Sequence, residues 1–174
     1  MPRYIALLRA INVGGHVVKM DRLRMLFEEA GCRNVETFIA SGNVVFDSSS
    51  TNTRTLEEKI ERHLEKGLGY DVVTFLRTPA ELAAVAAYKP FTAEGHALWV
   101  AFLKTAPTDE ARQRLADFRT ENDDFHVHQR EVYWLRQTKF SESKFSGVRF
   151  EKALGPSTMR NVTTVRKLAA KCEG

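Results

Sequence analysis

Cysteine is scarce in this chain of 174 residues: only Cys32 and Cys172 occur, far apart and in no metal-ligand spacing. That usage argues against a disulfide scaffold or a zinc module and predicts two reduced thiols in a cytoplasmic protein. Long apolar runs are missing too. The longest, Ala97 to Leu103, suits a strand and falls far short of the roughly 18 apolar residues of a membrane span. Arg9 interrupts the N-terminal apolar stretch and no small-residue cleavage site follows, so no secretory signal is read there. Nucleotide-binding signatures are absent as well. Gly14-Gly15 is followed by His16 rather than a Walker sequence, Lys19 has no Gly-Lys-Ser/Thr context, and no Rossmann fingerprint occurs. Ser41 lacks the Gly-x-Ser-x-Gly elbow of hydrolases. His126 and His128 alternate on a predicted strand and share a face, but no convincing third ligand accompanies them. The sequence therefore calls for no metal and no cofactor, and it identifies no nucleophile or general base.

What is present is an ordinary globular composition, 43% hydrophobic and 28% charged. It suffices for one sizeable core or for two small subdomains sharing one. The net charge is +4, unevenly spread. From His126 to Gly174 ten Lys and Arg face four Glu, a net +6 that leaves −2 for the rest. A basic C-terminal third suits an acidic partner. Phe125, Tyr133, Trp134, Phe140, Phe145 and Phe150 interleave with those cations, a mixture that either stacks bases or builds a core.

Local patterns predict the elements. A strand spans Tyr4 to Ile11. Met20, Leu23, Phe27 and Ala30 recur at helical spacing, with Gly31 placed to cap the helix. Strands over Val35–Ala40 and Val44–Phe46 flank a tight turn at Ser41-Gly42-Asn43. Thr55 and Glu58 suggest a capping box before a helix with Leu56, Ile60 and Leu64 inward, and a strand follows at Val72–Leu76. This order is β-α-β-β-α-β, the ferredoxin-like unit. Thr78-Pro79-Ala80-Glu81 then starts a helix. Beyond it come a strand from Leu98, a helix from Thr108, a hairpin around Gln129-Arg130, a helix at Val148–Leu154 and a last helix from Val162. The second half thus repeats most of the first. The fold expected is α+β: two related ferredoxin-like units, about 1–78 and 79–174, packed as one protein with an extra terminal helix.

The polar turns carry the functional expectation. In such a unit the first two strands run parallel and the third returns between them. The end of the first strand and the turn between the second and third therefore share a sheet edge. Asn12-Val13-Gly14-Gly15 and Ser41-Gly42-Asn43 should be neighbours there. Tandem glycines let backbone N–H groups converge, and a helix N-terminus adds partial positive charge, which together suit an anion.

Leu7-Leu8-Arg9-Ala10-Ile11-Asn12-Val13-Gly14-Gly15, Ser41-Gly42-Asn43 and Thr158-Met159-Arg160-Asn161 with Thr164-Val165 together resemble a bacterial family, domain-of-unknown-function family 1697. The resemblance covers nearly the whole chain. It departs at Ala10, where Gly is usual, and at Val162, where an aromatic is common. The family carries no established activity, so the resemblance bears on fold and compartment. It also draws attention to the third motif, where Asn161 reads as a helix N-cap and Arg160 precedes the helix.

These readings converge on a phosphate-bearing ligand, a nucleotide or a nucleic-acid end, held in a cleft between the units. Arg9, Lys19 and Arg160 would neutralise charge. Asn12, Ser41, Asn43 and Asn161 would hydrogen-bond, and Gly14, Gly15 and Gly42 would bring the backbone close. Arg160→Ala should then leave stability nearly unchanged, as for a surface charge. The partner expected is an anionic small molecule or nucleic acid, with no membrane, for a monomer or homodimer. An interaction module without catalysis, or an enzyme acting on a phosphorylated metabolite, would fit the same sequence.

Overall fold

The apolar stretch near the N-terminus forms β1 (Arg3–Leu8); of the strand expected over Tyr4 to Ile11, Ala10 and Ile11 lie outside the described residues. In the computed structural model residues 1–9, 18–38, 42–91, 97–121, 123–136 and 147–173 are described. The chain continues with α1 (Met20–Glu29), β2 (Arg33–Thr37), β3 (Asn43–Asp47), α2 (Thr53–Leu68), β4 (Thr74–Arg77) and α3 (Pro79–Ala87). It then forms β5 (Ala97–Leu103), α4 (Asp109–Ala116), β6 (Asp123–His128), β7 (Glu131–Arg136), α5 (Gly147–Leu154), β8 (Ser157–Asn161) and α6 (Val162–Glu173).

Two four-stranded antiparallel sheets result, in the orders β2-β3-β1-β4 and β6-β7-β5-β8. Each is a β-α-β-β-α-β unit with its third strand between the first two, so the ferredoxin-like reading holds for both halves. The repeat is more complete than the sequence suggested. Ser157–Asn161, read there as the approach to a helix, is an edge strand paired with β5, from Trp99 opposite Asn161 to Leu103 opposite Ser157. By contacts, one unit comprises 1–83 with 168–174, and the other comprises 84–167.

In the first unit, Tyr4, Ala6 and Leu8 of β1 and Val44 and Phe46 of β3 meet Leu23, Leu26 and Phe27 of α1 and Leu56, Ile60 and Leu64 of α2. Alternation along the strands puts Ile5, Leu7, Val45, Phe75 and Arg77 on the other face, where they are also fully buried. In the second unit, Ala101, Leu103, Val132 and Trp134 form the helix-facing core with Phe125, Leu115 and Phe150. Phe125, Tyr133, Trp134 and Phe150 are therefore core residues and do not form a base-stacking surface. Phe140 and Phe145 lie outside the described residues.

Local chemistry sets the helix starts. Asn52 caps α2, its Oδ1 accepting from Thr55 N–H at 3.1 Å, so the cap sits three residues before the Thr55 box expected. Thr78 and Glu81 do form a reciprocal box: Glu81 N–H donates to Thr78 Oγ1 and Thr78 N–H donates to Glu81 Oε1. Thr108 caps α4 through Ala111 N–H.

Candidate functional site: the strand-end edge of the first sheet

Register fixes which residues meet at this edge. Leu7 of β1 lies opposite Asn43 of β3, and Leu8 N–H donates to the Gly42 carbonyl at 2.8 Å. Arg9 N–H donates to the Val73 carbonyl at 3.0 Å, which joins the start of β4 to the same edge. Phe38 N–H donates to the Asn43 carbonyl, adding the end of β2. The end of β1 and the turn into β3 are thus neighbours, as the strand order requires. Arg9 is half-buried and Asn43 is buried. Asn12, Gly14, Gly15 and Ser41 lie outside the described residues.

The first turn of α1 has a distinctive start. Lys19 occupies the N-cap in extended conformation and offers no side-chain cap, where Ser, Thr, Asp or Asn would serve the leading N–H groups. Lys19 is exposed. Asp21, the acid of this turn, is paired with Arg24. Arg22 reaches across to α2, where Nη2 donates to the Gly67 carbonyl at 3.3 Å. Gly67 is needed for that approach, since a Cβ there would overlap Leu26 Cδ2 on α1. Arg22 and Gly67 had no motif to mark them. Their role arises from helix packing between residues 45 positions apart.

Arg160 and Asn161 belong to the second unit. Arg160 is a β8 residue opposite Val100, and Nη1 donates to Thr158 Oγ1 at 2.8 Å and to the Met159 carbonyl at 2.9 Å. Burial lowers its pKa to about 10, which leaves the guanidinium charged at neutral pH. Asn161 Oδ1 accepts from Thr163 N–H at 2.8 Å, the capping bond expected at the start of α6.

His126 and His128 share a face of β6, and Tyr88, which follows α3, meets both. Its ring stacks on His128 with centroids 4.0 Å apart, and its hydroxyl lies 2.7 Å from His126 Nε2. Burial, then His128, Arg119 and Arg112, lower the His126 pKa below its usual 6.5, opposed by Asp124. The direction of the Tyr88–His126 hydrogen bond follows the imidazole tautomer. Among the described residues no group of three His, Cys, Asp or Glu is arranged to hold a metal. Cys32 is a poor nucleophile, because burial pushes its thiol up to about 12.

Comparison places this geometry in a family. The model of a protein family of unknown function, DUF1697, matches residues 1–133. The chain belongs to this family. A conserved bacterial protein of Streptococcus pneumoniae has a similar structure, with a TM-score of 0.81 at 21% identity over 100% of this chain and 99% of that one. At that identity the likeness shows the fold alone. No curated protein matches the sequence. No helix among the described residues is long and apolar enough to cross a membrane.

Proposed function

We propose that this DUF1697 member binds a phosphate-bearing ligand, a nucleotide or a nucleic-acid end, at the strand-end edge of its first sheet. The observation that carries the reading is the pair of backbone bonds from Leu8 to Gly42 and from Arg9 to Val73. They bring the half-buried Arg9 and the buried Asn43 to one edge. The α1 N-terminus, begun by Lys19 without a side-chain cap, supports it, since leading N–H groups and the helix dipole favour an anion. In this reading Arg9 and Lys19 supply charge, and Asn43 with the Gly14-Gly15 backbone supplies hydrogen bonds.

Calorimetric titration with inorganic phosphate, a nucleoside monophosphate and a 5′-phosphorylated oligonucleotide tests it. Arg9→Ala should weaken every phosphate ligand that binds by about tenfold or more, the worth of a hydrogen bond to a charged group. Arg54→Ala, which removes an exposed cation 3.9 Å from Glu58, should leave affinity unchanged. Equal affinity in both variants would reject the site.

A further inference from the structure

A cleft lies in the other unit, between α4 and the edge of β6. It encloses about 190 Å³ and its lining includes Arg112, Ala116, Arg119, Phe125, His126 and Val127. Among the described residues β6 is the outermost strand of its sheet and pairs only with β7. Its outward main-chain groups alternate along the strand. At Phe125 side chains serve them: N–H donates to Asp124 Oδ1 at 2.9 Å, and the carbonyl accepts from Arg119 Nη2 at 3.0 Å. Arg119 Nε also pairs with Asp124 at 3.0 Å. Two residues on, Val127 turns its N–H and carbonyl the same way, and no described side chain serves them. Past Val127 the strand ends at His128 and the chain turns through Gln129 and Arg130, with Gln129 at a φ of 55°.

The open edge is therefore one residue long. It cannot take a continuous added strand, which would have to displace the Asp124–Arg119 pair from Phe125. It can take the last residue of a chain, whose amide N–H donates to the Val127 carbonyl while its carboxylate accepts from Val127 N–H. Charge decides between the two kinds of chain end. Arg112 is exposed on the rim and has no carboxylate partner among the described residues, so the cleft favours a carboxylate and repels an ammonium group. We infer that this cleft captures the free α-carboxylate end of an extended polypeptide, by one backbone pair to Val127 and a charge-assisted bond from Arg112.

The probes are N-acetyl-trialanine with a free carboxylate, its C-terminal amide, and inorganic phosphate, titrated at millimolar concentrations while amide resonances are followed. The free acid should shift Val127 N–H and its neighbours. The amide should bind about tenfold more weakly or worse, and Arg112→Gln should weaken the acid by a similar factor without moving Tm. Phosphate should perturb Val127 less than the peptide acid does. Acid and amide binding alike, phosphate matching the acid at Val127, an Arg112→Gln protein that binds as well as the parent, or no shift at Val127 would each overturn the inference.

Discussion

At the scale of single residues, Arg160 shows how far burial changes a role. As a surface charge it could be removed at little cost. Held within β8 and bonded to Thr158 and Met159, it cannot. Arg160→Ala strands those two acceptors in a half-buried setting and should cost about 1–2 kcal/mol in chemical denaturation. A loss under about half a kcal/mol would return it to the surface role. Asn161→Ala should cost about 1 kcal/mol through the lost cap. His126 carries a pH prediction. Its folded pKa lies below 6.5, so the unfolded chain takes up a proton first as the pH falls. Its contribution is intact above about 6.5 and becomes a growing penalty below. Urea unfolding of His126→Gln near pH 7.5 and pH 5.5 should show a smaller acid loss than the parent. Equal losses would mean that other groups govern the slope.

At the scale of elements, α2 also protects the sheet of the first unit. Glu57 and Glu61 of α2 accept from Leu76 N–H at 2.8 Å and Thr74 N–H at 3.2 Å, closing the outer edge of β4. Closed edges at β4 and at Phe125 of β6 resist pairing with another chain there, which weighs against an edge-docking module at those positions. Glu57→Ala should cost about 1–3 kcal/mol, the penalty of a buried unpaired N–H. Gly67→Ala should destabilise by roughly 1–3 kcal/mol through overpacking on Leu26, although Ala is the better helix former by about 1 kcal/mol. A stabilised Ala variant, measured by thermal melting, would show that α1 and α2 separate more easily than their packing indicates.

Elements also differed in how legible they were. Helices with an apolar stripe, such as Leu56, Ile60 and Leu64, and the Thr78–Glu81 box are local signals, and both stand. β8 was illegible because Ser-Thr-Met-Arg-Asn has little apolar content and owes its strand form to the β5 ladder. The α2 cap was misplaced because Ser, Thr and Asn crowd the preceding loop, and only the fold selects among them. Tyr88 carried no signal, since its meeting with His126 joins residues 38 apart.

At the scale of the whole molecule, the paired ferredoxin-like order could be read from element sequence, and with it the neighbourhood of the β1 end and the β3 start. The chemistry of the edge was only partly legible. Arg9 and Asn43 lie at the edge that the strand order defines, Arg160 bonds Thr158 and Met159 within β8, Asn161 caps α6, and Asn12, Gly14, Gly15 and Ser41 lie outside the described residues. The central claim is an anion site at the first sheet's edge, and amide chemical-shift mapping with added phosphate tests it most directly. The account predicts the largest saturable shifts at Arg9, at Lys19 to Arg22 and at Gly42-Asn43, with Arg9→Ala abolishing them. Shifts confined to other regions, or unchanged by Arg9→Ala, would contradict it.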